Sequence, residues 1–303
     1  MAETNQDIIS LDDRYSTTQM LLRREFPEVV DDPAAGRIFG GLRSKGFYKI
    51  SQPGKPLVSV IIPVLNRAQS IEQAVKSVIN QEYENVECII IDGGSTDGTL
   101  NIIKNYDDRI DLWISEPDTG IYEAMNKGIA EAGGDWLYFL GSDDIMIDVL
   151  HRVVGQLRNP RGIYHGDIYR INKHRISGGE ISARKIMRRN IPHQALFYPR
   201  SVFSKYRFEL KYKVVADHHL NLLCFCDKEF EFIHLPLLVA LFNDSGGLSS
   251  TTRDIAFDAD LPKLVRNNLG NLMYCRFLVD KGLNLFEKKF IRRIAAKFKK
   301  PRD

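Results

Sequence analysis

Short apolar runs that stop abruptly in glycine or aspartate dominate the first half of this chain. The clearest is Trp136 to Asp144, WLYFLGSDD, where the apolar stretch ends at Gly141 and Ser142 and two carboxylates follow at once. A run of this kind, bounded by turn formers, reads as a strand buried on both faces. Val58 to Pro63 (VSVIIP) and Val86 to Ile91 (VECIII) read the same way, with Ile110 to Ser115 as a further candidate. Between them lie segments of helical period: Ser70 to Asn80, with Ile71, Ala74, Val75 and Val78 on one face, then Leu100 to Tyr106 and Ile121 to Ala132. The alternation predicts an α/β fold, in which βαβ units build a single Rossmann-like, mostly parallel sheet flanked by helices. Ligands meet such a sheet at the carboxyl ends of its strands, and the polar residues of interest fall there.

Asp143 and Asp144 cannot both be desolvated as anions without a cation or donors to hold them. Two readings fit the pair: a divalent-cation site, or a solvated turn after a strand. Asp92 also closes an apolar run. It suits a ribose diol or a base N–H, with Gly93 and Gly94 letting backbone approach the ligand, and it equally suits a tight strand-to-helix turn capped by Thr96 or Asp97. The pattern is neither G-x-G-x-x-G nor G-x-x-x-x-G-K-[ST], so dinucleotide and P-loop readings lose support.

With 303 residues, 44% of them hydrophobic, the chain can bury a full core. The divisions expected are an extension over 1–55, a catalytic domain over 56–250 split near 145, and C-terminal helices over 251–303. Cys88, Cys224, Cys226 and Cys275 fit reduced packing thiols rather than a zinc pattern. No apolar run is long enough for a transmembrane helix, and the N-terminus lacks the regions of a signal peptide. The expected location is cytoplasmic, with the inner face of the cell membrane as an alternative. The net charge of +3 is uneven: from Lys281 onward nine basic residues face two acidic ones, +7, which leaves −4 for the rest. That balance argues against a nucleic-acid partner and for a local basic tail.

Four motifs together carry a resemblance. VSVIIPVLNR, IIIDGGSTDGT, SEPDTGIYEAMNKGI and GDWLYFLGSDD, in that order and on those strand ends, resemble the nucleotide-sugar half of family 2 glycosyltransferases, which have the GT-A fold. The likeness spans about residues 36 to 245, and the GGLRSKGFYK lead-in is similar to members linked with bacterial surface-polysaccharide assembly. It implies that Pro63, Asn66 and Asp92 line a nucleoside pocket, with Arg67 and Gly93 in the same loops, and that Asp118 and Gly120 approach the donor near its base or ribose. Asp143 and Asp144 take the place of the family's acidic pair. The implied cofactor is Mg²⁺ or Mn²⁺, held by Asp144 directly, with Asp143 as second ligand and donor contact. Hard oxygen ligands and a divalent ion suit a diphosphate leaving group whose charge grows as the C–O bond breaks.

VVADHHL resembles the family's downstream Asp motif, which makes Asp217 the expected base of an inverting transfer. An ordinary helix cap is the alternative for Asp217, and His218 or His219 the alternative base or third metal ligand. His193 and Gln194 resemble a short element facing the active site and, with His218, are candidate contacts for acceptor or phosphate. His165 and Asp167 are candidates for the cleft wall, and Ser245 to Ser249 for a lid. The implied reaction moves a sugar from a nucleoside diphosphate, UDP first, to a hydroxyl of a glycan or lipid-linked acceptor. Two rivals remain: a nucleotidyltransferase on a related sheet, which needs a glycine loop where Val64 to Arg67 has none, and a non-catalytic nucleotide-sugar binding module, which needs neither the carboxylate pair nor Asp217.

Over Leu283 to Lys300, Leu283, Phe286, Phe290, Ile294 and Phe298 recur at three- and four-residue steps with basic residues between them. The pattern suits a helix lying on an anionic membrane surface, or one packed on the domain. On the membrane reading, a chain truncated after Asp280 stays folded and loses most of its sedimentation with anionic liposomes; equal sedimentation of both forms would exclude it.

Overall fold

Every residue of Val58–Val64 and Val86–Asp92 is buried, as expected of central strands covered on both faces. The computed structural model describes residues 36–245 and 252–282 in full, with the backbone of 8–9, 21–22 and 283–297. Most of the N-terminal extension, the Gly246–Ser249 stretch of the expected lid and the side chains of the amphipathic tail lie outside the described residues. In chain order the strands are β1 (Ile8–Ile9), β2 (Leu21–Leu22), β3 (Ile38–Gly40), β4 (Tyr48–Lys49), β5 (Val58–Val64), β6 (Val86–Asp92) and β7 (Leu112–Ser115). They continue as β8 (Trp136–Phe139), β9 (Ile145–Met146), β10 (Gly162–Arg170), β11 (Arg175–Ser177), β12 (Leu196–Pro199) and β13 (Glu231–Phe242). The helices are α1 (Ile71–Ile79), α2 (Thr99–Lys104), α3 (Ile121–Glu131), α4 (Leu150–Val154), α5 (Ala183–Arg188), α6 (Arg200–Lys205), α7 (Ala216–Cys226) and α8 (Ile255–Lys297).

The main sheet has ten strands in the order β3-β7-β6-β5-β8-β12-β10-β13-β9, with β11 paired to β10. Strands β7, β6, β5 and β8 run parallel to one another. Beyond β8 the sheet turns mixed: β12 is antiparallel to both its neighbours, while β10 and β13 are parallel to each other. The chain leaves β5 for β6 and β7 on one side and then crosses back to add β8 on the other. That reversal opens a crevice beyond the carboxyl ends of β5 and β8. Pro63, near the end of β5, costs the sheet little, because pairing with β8 stops at Ile61 and Phe139 and a missing N–H beyond that point breaks no ladder bond.

The extension is less irregular than its sequence suggests. Ile38–Gly40 forms an edge strand antiparallel to β7, and the segment after it locks under the sheet through charge. Arg43 pairs with Glu87, a fully buried residue of β6, whose carboxylate also takes Ser59 Oγ and, at 2.6 Å, the backbone N–H of Gly133. Nearby, Lys49 donates to Asp111 at 3.1 Å and to the Val86 carbonyl at 2.6 Å.

Two further segments depart from the sequence reading. Ile176 to Arg189 reads as a basic loop, yet it begins as β11 and ends as α5. Ser182 Oγ caps that helix by accepting the Lys185 N–H at 3.2 Å, and the Lys185 ammonium ties down the carbonyls of Gly178, Gly179 and Glu180. The sequence leads one to expect two C-terminal helices, about 255 to 279 and 283 to 299; the helix instead breaks at Gly270, with φ of 82°. Its inner face brings Val265 and Phe277 onto Met187 of α5. Among the described residues, no helix is long and apolar enough to cross a membrane.

Removing one partner of a buried ion pair strands the other charge. Arg43→Met is expected to lower the urea-unfolding free energy by about 3 to 5 kcal/mol, read as a drop in midpoint at unchanged slope.

Candidate active site

The loops after β5 and β6 are zipped together at their roots. Asn66 donates its backbone N–H to Ser95 Oγ at 2.8 Å, and its side-chain oxygen accepts the Thr96 N–H at 2.9 Å. Asn66 holds a left-handed φ of 51°, a conformation asparagine tolerates better than most residues. Arg67 is exposed at this edge, its backbone N–H given to Thr99 Oγ1 at 2.8 Å. Asp92, 1% exposed, takes Ser115 Oγ at 2.6 Å and the Ser95 N–H at 3.1 Å. A β-carbon at Gly93 would lie 2.6 Å from Asp118 Oδ2, so the glycine lets that carboxylate rest against the backbone. Asp118 also accepts the Gly120 N–H at 2.8 Å. Burial pushes its carboxyl above the usual range, with the charges of Glu123 and Asp92 adding to the shift. Asn66, Asp92, Gly93, Asp118 and Gly120 thus gather at the mouths of β5, β6 and β7, as their motifs led one to expect.

A cleft of about 810 Å³ opens on the other side of the switch point, between β8, the β10–β11 hairpin and the start of α7. Asp143, Tyr122, His193, Gln194 and Asp217 line it. Its far wall is basic, carrying Arg170, Lys173, Arg175, Lys185 and Arg189. His165 is also on the wall; burial and the neighbouring His234 lower its imidazole to about 4. Asp167 is occupied locally, by His234 Nε2 at 2.9 Å and the Gly179 N–H at 2.9 Å.

The two adjacent carboxylates part company here. Asp143 is half-buried and faces the cleft, whereas Asp144 is 1% exposed. Asp144 accepts Gln194 Nε2 on one oxygen and, at 2.8 Å, the Asn243 N–H on the other. Burial raises its carboxyl to about 6, and Asp143 beside it adds to the shift. The sequence reading gave Asp144 the direct metal contact; in the tight turn after β8, where the Asp144 N–H bonds back to the Gly141 carbonyl at 3.0 Å, it is Asp143 that faces the cleft. A β-carbon at position 141 would lie 3.3 Å from Asp143 Oδ1 and closer still to Asp144 Oδ2. Glycine there leaves a small cradle on which one oxygen from each carboxylate converges. Among the described residues no cluster of three or more His, Cys, Asp or Glu side chains could hold a metal ion. Carboxylate oxygens are the hard ligands that Mg²⁺ or Mn²⁺ takes; Asp143 faces the cleft, while both oxygens of Asp144 already accept bonds from Gln194 and Asn243.

Asp217 sits in the first turn of α7, whose N-cap residue is Val215. Oδ1 accepts Tyr122 Oη at 2.9 Å and the His218 N–H at 3.0 Å; Oδ2 accepts Asn190 Nδ2 at 2.7 Å, with His193 Nδ1 at 3.4 Å. Burial works against the anion, but the bonds from His193, Asn190 and Tyr122 outweigh it and hold the carboxyl below its ordinary value. His218 is not brought to the cleft. It is 5% exposed, gives Nε2 to the Ile186 carbonyl at 2.6 Å and packs on Phe257. His219 turns toward Tyr212. Tyr122 and Asn190 were not singled out from the sequence: Tyr122 falls within SEPDTGIYEAMNKGI but is 95 residues from its partner, and Asn190 stands in no marked pattern.

Carboxylates gathered at strand ends over a cleft at the switch point, on a mostly parallel sheet flanked by helices, define a GT-A transferase. Residues 59–224 match the family described as Glycosyl transferase family 2. A Mycobacterium bovis protein named as a PGL/p-HBAD biosynthesis glycosyltransferase is 37% identical over 221 residues, 70% of this chain and 86% of that protein. Among solved structures, Staphylococcus aureus TarS 1-349 with UDP-GlcNAc matches at a TM-score of 0.60 and 16% identity, over 73% of this chain and 71% of that one. This chain spans 43% of the longer TarS chain. A mannosyltransferase from Pyrobaculum calidifontis, in complex with GDP-Man and Mn²⁺, matches at 0.51 and 16% identity, over 82% and 84% of the two chains. The chain belongs to glycosyl transferase family 2 and is a glycosyltransferase.

The buried Asp144 generates a pH prediction. Its folded-state value lies above that of the unfolded chain, so the charged form costs stability above about pH 6, and the cost fades as pH falls toward 4. Asp144→Asn is expected to be more stable than wild type at pH 7.5 by about 3 kcal/mol at most, with the gap closing by pH 4.5, in urea titrations without added metal.

Proposed function

We propose that this glycosyltransferase moves a sugar, with inversion, from a nucleoside diphosphate donor, UDP first, to a hydroxyl of a glycan or lipid-linked acceptor in bacterial surface-polysaccharide assembly. The observation that carries this reading is the convergence of Asp143 and Asp144 on the Gly141 cradle, at the switch point between the Asp92–Asp118 group and the cleft that holds Asp217. The complexes of related fold support it, one with UDP-GlcNAc and one with GDP-Man and Mn²⁺.

In this reading Asp92 and Asp118 receive the nucleoside, with Pro63, Asn66, Arg67, Gly93 and Gly120 shaping the pocket. Asp143 and Asp144 hold Mg²⁺ or Mn²⁺, which when bound offsets the charge that grows on the departing diphosphate. Asp143 meets the ligand from the cleft side; Asp144, braced by Gln194 and Asn243, supplies its charge from behind. Within the cleft, Asp217 provides the negative charge that draws off the acceptor's proton. His193 and Gln194 lie at the acceptor edge. The basic, apolar-striped tail from Leu283 onward would keep the enzyme against an anionic membrane, where lipid-linked acceptors reside.

Calorimetry tests the donor half directly. UDP is expected to bind wild type at least tenfold more tightly with Mn²⁺ than without, and Asp143→Ala is expected to abolish that difference. Equal, metal-independent UDP binding by both proteins would sink the metal assignment.

A further inference from the structure

Five arginine and lysine side chains line the cleft, and three of them are already committed within the protein. Arg170 leans on Asp244 at 3.8 Å, gives Nε to Ser177 Oγ at 3.2 Å and lies over the Phe242 ring. Lys173 reaches the same carboxylate at 3.4 Å, and Lys185 holds the carbonyls of Gly178, Gly179 and Glu180. Arg175 and Arg189 are left. Both are exposed, both line the cleft, and among the described residues no carboxylate pairs with either guanidinium. Their placement works against the fold. Arg175 stands directly across from Arg170 in the β10–β11 pair, where facing like charges destabilise a hairpin. Burial lowers the proton affinity of Arg170, and Arg175 lowers it further against the pull of Asp244. Lys185 is lowered in the same way, by burial and then by Arg189, against Asp167. An anionic ligand relieves cations crowded like this, and the arginine fork matches phosphate oxygens two at a time. The rim beside them is apolar: Ile176, next to Arg175, lines the cleft and is 62% exposed.

We infer that Arg175 and Arg189 bind a phosphate group on the acceptor, and that this acceptor is a lipid-linked phosphate whose first apolar units rest on Ile176. The inference rests on the glycosyl-transfer reading and names the acceptor class of that same cleft. Two phosphate sources can enter the site, the donor and the acceptor. The donor's diphosphate is met at Asp143 and Asp144 with their divalent ion. Arg189, by contrast, directly precedes Asn190, whose Nδ2 donates to Asp217 Oδ2 at 2.7 Å, so the segment that orients Asp217 also carries this guanidinium. Lys185 ties the chain leaving β11 to α5, which keeps the strand bearing Arg175 fixed to the helix that ends before Arg189. A phosphate held by the two arginines is kept from Asp217 by its own charge. The hydroxyl beyond the phosphate is then the part of the acceptor free to meet that carboxylate. A neutral glycan would leave both guanidiniums unanswered.

Calorimetry of the full-length protein, loaded with UDP and Mn²⁺ and titrated with farnesyl phosphate, farnesol or inorganic phosphate, tests this. Wild type is expected to bind farnesyl phosphate about tenfold or more tightly than farnesol, the strength of one charge-assisted contact, and more tightly than inorganic phosphate. The double variant Arg175→Gln, Arg189→Gln should lose the preference over farnesol while its affinity for UDP stays within about threefold of wild type. Arg152→Gln with Arg207→Gln removes the same charge from exposed positions outside the cleft and should leave every affinity unchanged. Equal binding of farnesyl phosphate and farnesol by wild type, an unchanged preference in the double variant, or a matching loss in the Arg152, Arg207 control would each overturn the assignment. A loss of UDP affinity in the double variant by about tenfold would overturn it as well and give the two arginines to the donor's diphosphate. Ile176→Ser binding farnesyl phosphate as wild type does would overturn the lipid part. A wild type that binds no UDP, with or without Mn²⁺, would overturn the donor reading instead, and farnesyl phosphate titrated into the unloaded protein would still decide whether the arginine site exists.

Discussion

A strand buried on both faces can meet water only at its ends, and the rest of this molecule follows from that restriction. β5 and β6 have no exposed residue along their length, so polar chemistry is confined to the loops that leave them. The order β7-β6-β5-β8 then decides which loops face each other. Because the chain reverses direction across the sheet at β5, the loops after β5 and β8 diverge, and the space between them is the crevice that a ligand can enter.

That confinement makes the carboxylates costly to bury, and each is met by hydrogen-bond donors from other elements. Asp92 is answered by Ser95 and Ser115, Asp144 by Gln194 and Asn243, and Asp217 by Tyr122, Asn190 and His193. Asp144 still titrates near 6, because two donors do not repay full burial. Asp217 does not, because more donors reach it. At the opposite edge, Arg43 and Glu87 perform the same service for the fold, pinning the GGLRSKGFYK segment beneath the sheet.

The β10–β11 hairpin and α5 line the cleft with arginine and lysine, of which Arg170 and Lys173 are paired there with Asp244 at 3.8 and 3.4 Å. Lys185 shows that not every cation there is available to a ligand, since its ammonium is committed to three carbonyls. A substrate bearing negative charge near its reacting end would be drawn toward this wall and away from Asp217.

The four parallel strands, their ends and the motif residues were legible in the sequence, because burial on both faces writes itself as an unbroken apolar run and the turns after it as glycine and aspartate. Helix α5 was hidden because a single serine cap and a lysine anchored to the carbonyls of the preceding loop outweigh a run of basic residues with little periodicity. The break at Gly270 was misplaced because the helical pattern continues across it. By itself the sequence determined an α/β sheet with carboxylates at the mouths of β6 and β8. Only the tertiary structure decided that Asp143 rather than Asp144 faces the cleft, that His218 turns into the core, and that Tyr122, Asn190 and His193 close around Asp217. Those outcomes depend on one tight turn and on contacts between residues up to 99 positions apart, and no local pattern encodes where such partners meet.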